Sequence, residues 1–305
     1  LSAGVTAFRL NTSHLSVQQL KKWLEQYQLF IQSAIFMPPL VLDLQGSKWR
    51  LGEFSAFTLD EGQNIDLILA PSTEQPHTLP IPHADFFKAA PLSNGEVILN
   101  DAKTRLVIKK INDALIQTQV LKGGPLSAHK GITFSHCQAR KEALSEKDQA
   151  ILDLTRDLPF IRYAVSYIKD TVEMAAYRSF LGSNTYLIAK LERQPAINEA
   201  EDIAFYANEL WLCRGDMGAE LGISEMAKTV HSFSKSLAHF SVPVILAGQV
   251  LEHMVDHPTP TRSEVCFLYD AISNGYKGVV LSDEAAIGKY PLESCQAAAL
   301  FKDQA

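Results

Sequence analysis

Tyr186-Leu187-Ile188-Ala189-Lys190-Leu191-Glu192 and Glu209-Leu210-Trp211-Leu212-Cys213-Arg214-Gly215-Asp216 share one design. Each is a short apolar run that ends in charge. A strand covered on both faces, as in a parallel sheet, is apolar along its whole length. Polar residues at its carboxyl end therefore mark a place where the chain meets a ligand. The pattern recurs: candidate strands are Val5–Leu10, Leu40–Leu44, Tyr163–Ser166, Tyr186–Leu191, Glu209–Arg214, Val242–Ala247 and Gly278–Leu281. Arg9 and Asn11 close the first, Asp43 the second and Ser166 the third. Gly248 and Gln249 follow the sixth, and Ser282, Asp283 and Glu284 follow the seventh. Between them, amphipathic stretches predict helices over Val17–Leu29, Gln149–Arg156, Thr171–Leu181, Ala196–Tyr206, Ile223–Ala238, Arg262–Asn274 and Pro291–Leu300. Ser16 with Gln19 completes a capping box for the first. This alternation predicts an α/β protein with a parallel sheet. An open doubly wound sheet binds only at its switch point, whereas a (β/α)8 barrel uses the carboxyl ends of all its strands. Polar endings on nearly every strand favour the TIM-type barrel.

One section breaks the rhythm. From Leu51 to about Ser135 the pattern becomes strand-turn-strand with no convincing helix. Turn signals at Asp60-Glu61-Gly62, Ser93-Asn94-Gly95, Asn112-Asp113 and Gly123-Gly124 separate the antiparallel candidates Glu96–Leu99, Arg105–Ile111 and Leu115–Leu121. This predicts a small all-β domain inserted after the second visible strand, with residues 51–135 as the insert and residues 1–50 and 136–305 as the discontinuous barrel.

Composition bounds the function. The 305 residues are 47% hydrophobic and 20% charged, with net charge −6. That is the balance of a globular protein, and it lacks the basic field of a nucleic-acid binder. No run reaches the roughly 18 apolar residues of a membrane helix; Leu29–Leu44 is broken by Gln32, Ser33 and Pro38-Pro39. Cys137, Cys213, Cys266 and Cys295 lie far apart, which fits a reducing, cytoplasmic compartment better than disulfides or zinc. The chain opens at Leu1-Ser2-Ala3-Gly4 without a signal peptide or an initiator Met, so upstream sequence is expected.

Lys190 and Glu192 are two apart and project from one face of a strand. Glu192 and Asp216, from adjacent strand ends, are suited to share a divalent cation such as magnesium, which takes one or two carboxylates with substrate oxygens and waters. Lys190 beside it would face a phosphoryl group or an enolate oxygen; a purely structural Lys-Glu pair is the alternative. The glycines of Arg214-Gly215-Asp216-Met217-Gly218 read as a turn whose amides an anion can approach.

These motifs together resemble the pyruvate kinase family. The matching segments are Ala7–His14, Leu42–Gly46 with Arg50, Lys130-Gly131-Ile132, Leu144–Asp148, Ile188–Glu192, Arg214–Gly218, Pro260–Glu264 and Gly288–Pro291. The resemblance implies a barrel with an inserted lid, a first barrel strand upstream of Leu1 and a regulatory domain beyond the last residue. It implies a transferase moving a phosphoryl group between phosphoenolpyruvate and ADP, giving pyruvate and ATP, with Mg2+ or Mn2+. Lys190 would stabilise the phosphoryl group and the enolate, while Arg9 and Arg50 pair with phosphate oxygens. Glu192 and Asp216 would hold the metal. Gly215 and Asp216 amides would take the substrate carboxylate, with Arg214 and Gly248 beside them, and Lys130 would face the nucleotide. Members that need potassium hold it near Asn11, Ser13 and Asp43 and carry a glutamate where this chain has Lys48. Lys48 with Leu44 therefore implies that potassium is not required. A homo-oligomer is compatible with the likeness; nucleic acid and membrane are not expected as partners.

The chain departs from the family pattern at Gly248, where a threonine hydroxyl is usual, at Gln45 for lysine, at Ala285 for threonine, and at Asn100-Asp101-Ala102 in the lid. These departures imply weakened activity. They also leave open a metal-dependent lyase or aldolase that forms a pyruvate enolate without nucleotide, with or without a Schiff base on Lys190, and a non-catalytic degenerate barrel. His14 and His129 read as loop support and a solvated side chain, and Cys213 as inert core. The i, i+4 pair His253 and His257 lacks a third metal ligand.

Overall fold

The computed structural model describes residues 1–100, 103–135 and 144–304. Asp101, Ala102 and Cys137 lie outside them. The chain divides into two compact units. The first comprises Leu1–Gly46, Leu144–Gly215 and Ala227–Ala305; the second comprises Ser47–Ala143 and Asp216–Met226.

The first unit is built on seven parallel strands in sequential order: β1 (Phe8–Asn11), β2 (Leu40–Leu44), β3 (Ile161–Val165), β4 (Leu187–Leu191), β5 (Glu209–Cys213), β6 (Val244–Ala247) and β7 (Val279–Val280). This is the (β/α)8-type arrangement, with each strand paired to the next in register, Asn11 to Asp43, Lys190 to Trp211 and Cys213 to Ala247. Strands β2 and β4 are buried at every residue, and each is apolar except for one charged residue near its carboxyl end, Asp43 and Lys190. Parallel pairing obliges a crossover after each strand, and helices supply it. The helix Val17–Ser33 opens with the expected capping box between Ser16 and Gln19, and Arg262–Asn274 opens with another between Thr261 and Glu264.

Three expectations need correction here. The single helix expected over Ala196–Tyr206 is two, Gln194–Asn198 and Ala200–Ala204. Glu199 interrupts it with its backbone at φ −103° and ψ 17°, and its carboxylate accepts the Thr171 amide at 2.9 Å and the Thr171 hydroxyl at 2.8 Å. The Arg214–Gly218 turn is instead the start of a helix, Arg214–Leu221, in whose first turn Asp216 is favoured by the helix dipole. The helix expected to run from Ile223 to Ala238 ends at Ser234, where the Ser234 hydroxyl donates back to the Val230 carbonyl at 2.8 Å.

The second unit carries a six-stranded sheet ordered Ile132–Phe134, Glu96–Leu99, Thr104–Asn112, Leu115–Lys122, Asn64–Ile68, Thr78–Pro80, and a two-stranded ribbon of Phe57–Leu59 with Gly124–Leu126. It is not wholly β: Ala84–Ala89 is a helix. Consecutive apolar residues Phe86 and Phe87 are both buried there, a run that shows neither strand nor helix periodicity. Phe86 stacks on Phe134 at 4.3 Å and meets Trp49 edge-on at 5.1 Å. Asp85 accepts the Trp49 indole N–H at 2.8 Å. No helix among the described residues is long and apolar enough to cross a membrane.

Candidate active site

Four charges and a hydroxyl meet at the carboxyl ends of β1–β4. The Lys190 ammonium lies 3.1 Å from Asp43 Oδ1, 3.0 Å from Glu192 Oε1 and 2.8 Å from Ser166 Oγ, so each of its three protons has an acceptor. Arg9 donates to Asp43 Oδ2 through Nε at 2.8 Å and again through Nη2. Ser166 Oγ donates to Asp43 Oδ1 at 3.1 Å, which leaves its lone pairs to Lys190. Lys190, Asp43 and Glu192 are buried. Such charges persist out of water only when paired and hydrogen-bonded, and here two cations meet two carboxylates. Burial alone would raise Asp43, but Lys190 and Arg9 outweigh it and hold the carboxyl well below its ordinary range. Burial would likewise lower Lys190, and Asp43 and Glu192 reverse this, so the ammonium keeps its proton far into alkaline pH. The Cys213 thiol is pushed up by burial and then by Glu192, which keeps it neutral. A lysine this firmly protonated is a poor Schiff-base nucleophile.

The neighbouring loops are fixed by side chains that bond to their backbone. Asn11 Oδ1 accepts the Ser13 amide at 3.2 Å, Thr12 donates to the Asp43 carbonyl at 2.7 Å, and Lys147 reaches the Ser13 carbonyl at 3.2 Å. Arg214 does not point to this cluster through a free guanidinium. It donates to the carbonyls of Gly248 and, at 3.0 Å, Gln249, and lies 4.7 Å over the Phe267 ring. Gly248 has φ +90°, and a Cβ there would stand 3.1 Å from the Gly215 nitrogen.

In the second unit, Lys48 is buried and its ammonium grips both oxygens of Asp216, at 2.5 and 2.7 Å. Gly131 makes room for it, since a Cβ there would come within 2.8 Å of Lys48 Cε. Arg50 donates to the His129 carbonyl at 2.9 Å. Lys130 lines a shallow pocket with Phe57, Asn100, Pro125 and Leu126. His129 is neither plain solvated surface nor buried: its Nε2 meets Glu53 at 2.7 Å.

Sequence reasoning missed Asp148 and Tyr167. Asp148, noted as the end of the matched segment Leu144–Asp148, accepts the Gln45 and Gly46 amides at 3.2 and 3.1 Å. Tyr167 gives its amide to Glu192 Oε2 at 2.7 Å. Neither leaves a periodic signal, because both act through backbone groups. Among the described residues no three His, Cys, Asp or Glu gather as a closed metal cage. Glu192, in the first unit, and Asp216, in the second, each offer hard carboxylate oxygens of the kind magnesium and manganese take.

A parallel α/β barrel with a buried Lys-Asp-Glu-Arg cluster at its strand ends defines the class. The chain belongs to the pyruvate kinase family: the family model "Pyruvate kinase, barrel domain" matches residues 1–295. It is 29% identical over 294 residues to a pyruvate kinase of Methylorubrum extorquens and 31% identical over 297 residues to one of Agrobacterium vitis, in each case over 96% of this chain and 61% of the relative. The chain thus spans about three fifths of the length of these relatives. The structure of a pyruvate kinase from Cryptosporidium parvum superposes with a TM-score of 0.81 at 21% identity, over 99% of this chain and 64% of that one, which establishes the shared fold.

Proposed function

We propose that the protein transfers a phosphoryl group between phosphoenolpyruvate and ADP, giving pyruvate and ATP. The observation that carries the reading is the Lys190 ammonium, held protonated by Asp43 and Glu192 at the strand ends of a pyruvate kinase family barrel. Phosphoryl transfer asks a protein chiefly for positioning and for neutralising charge. Lys190 opposes the charge that develops on the transferring phosphoryl group and on the enolate oxygen. Arg9 and Arg50 take phosphate oxygens, the planar fork suiting that geometry. The Gly215 and Asp216 amides take the substrate carboxylate, and Lys130 takes nucleotide phosphates. Glu192 and Asp216 are the residues that would hold a divalent cation, which would supply positive charge against that of the phosphate.

Potassium is not needed on this reading. Lys48 brings a fixed positive charge beside Asp216, and equal turnover in sodium and potassium salts is the expected result. The free thiols Cys213, Cys266 and Cys295 suit a reducing cytoplasm. The deciding experiment is a coupled assay of phosphoenolpyruvate, ADP and magnesium with Lys190→Met as control. Pyruvate formed without ADP, or equal rates in the control, would overturn phosphoryl transfer. Pyruvate chemistry independent of nucleotide would instead favour the enolate-forming lyase, to which the missing hydroxyl at Gly248 is suited.

A further inference from the structure

Glu192 and its neighbour Arg193 both engage one loop. The ladder between β2 and β3 ends where the Ser166 amide donates to the Leu44 carbonyl at 3.3 Å. At the next residue the chain turns sharply: Tyr167 sits at φ +63° although it is a bulky aromatic and only 1% exposed. The left-handed region is unfavourable for such a side chain, and residues kept there by their surroundings concentrate at functional sites. The turn takes the Tyr167 amide out of the ladder and gives it to Glu192 Oε2 at 2.7 Å, while Lys190 holds Oε1 at 3.0 Å. Both oxygens of the Glu192 carboxylate are thus held in place, one by an amide and one by an ammonium.

Arg193 fastens the same loop from behind. Its side chain is almost wholly buried, with the guanidinium 5.5 Å from the Tyr167 ring centroid, within cation–π range. Its Nε donates to the Ile168 carbonyl at 3.3 Å. Its Nη2 lies 3.8 Å from Glu173 Oε2, and that carboxylate accepts the Lys169 amide at 2.6 Å. Asp170 then caps the following helix by accepting the Glu173 amide at 2.9 Å. Residues 167–170 are thus tied at every step, and their partners are the loop's own helix and the two residues that follow β4.

We propose that Tyr167 and Arg193 are positioning residues that hold this loop so that its amide aims the Glu192 carboxylate at a divalent cation. The inference rests on the proposed metal role of Glu192. Groups that orient a metal ligand commonly change affinity by 10–100-fold when removed. The test is a Mn2+ titration, followed by the electron paramagnetic resonance of the free ion, on the unmodified protein and four variants. These are Glu192→Gln, Arg193→Met, Arg193→Lys, and an amide-to-ester replacement at Tyr167 that removes the N–H and keeps every side chain. Arg193→Met and the ester should weaken Mn2+ binding by about tenfold or more, with Arg193→Lys recovering part of the loss at a temperature where all remain folded. If Arg193→Met does not fold, the ester carries the test alone. Weakening by Glu192→Gln with unchanged affinity in the folded Arg193→Met protein and the ester would overturn the positioning role alone. Unchanged affinity in Glu192→Gln would remove the metal from Glu192, and this inference with it.

Discussion

Asp43 shows how a residue's neighbours set its behaviour. Its carboxyl is held below its ordinary value of 3.8 by Lys190 and Arg9 against the opposing effect of burial. A depressed folded-state pKa contributes stability that is present above the unfolded value and is lost as pH falls through it towards the folded one. Asp43→Asn should therefore cost about 3–5 kcal/mol near neutral pH, the usual penalty for breaking a buried ion pair. The gap from the parent should narrow steadily below pH 3.8. Urea denaturation at pH 7 and pH 3 measures it, and an equal gap at both would disprove the coupling. Gly248 teaches a different lesson. From the sequence it is a missing hydroxyl, and Gly248→Thr should restore one and raise turnover. The backbone at φ +90° makes that exchange strained, and any Cβ added there would stand 3.1 Å from the Gly215 nitrogen. Gly248→Thr and Gly248→Ala should both lower stability by about 1–3 kcal/mol, without a gain in turnover. A Thr variant that melts with the parent and works faster would restore the simpler reading.

Glu199 matters at the scale of elements. Its carboxylate leaves the expected helix to accept the amide and hydroxyl of Thr171, the first residue of the helix Thr171–Leu181. Glu199→Ala and Thr171→Ala should each cost about 1–3 kcal/mol, as lost charge-assisted hydrogen bonds do. A double-mutant cycle by thermal denaturation should show that the costs overlap; full additivity would mean the bond is idle. The break at Glu199 was invisible because helical periodicity continues across it and its partner lies 28 residues away. Where the signal was local, the elements were legible: the apolar runs of β2 and β4, the Ser16 capping box, and Lys190 facing Glu192 two residues on. The helix at Ala84–Ala89 was not, because six residues built around two adjacent buried phenylalanines carry no period. Of the candidate site, the side chains could be named, but the Asp148 and Tyr167 contacts could not. An amide that binds a carboxylate is the same group in every residue.

At the scale of the molecule the two units rest on separate sets of buried side chains. The second has one continuous apolar core, running from Trp49 through Phe86 to Phe134, drawn wholly from residues between Ser47 and Ala143. The first buries its own clusters, one around Trp211 and Ala164 and another around Leu251 and Met254. The charged cluster of Lys190, Asp43, Glu192 and Arg9 belongs to the first unit alone, and none of the hydrogen bonds named for it draws on the phenylalanine core. Phe86 is fully buried, stacked on Phe134 and edge-on to Trp49, so Phe86→Ala leaves a cavity in the second unit's core. Large-to-small changes of this kind cost about 3–5 kcal/mol, a large fraction of the total stability of a typical domain. Chains of more than one unit need not unfold in a single step. In calorimetry of Phe86→Ala, one transition should move down strongly in temperature while another stays close to that of the parent. A single transition that shifts as a whole would show instead that the two cores melt as one cooperative body.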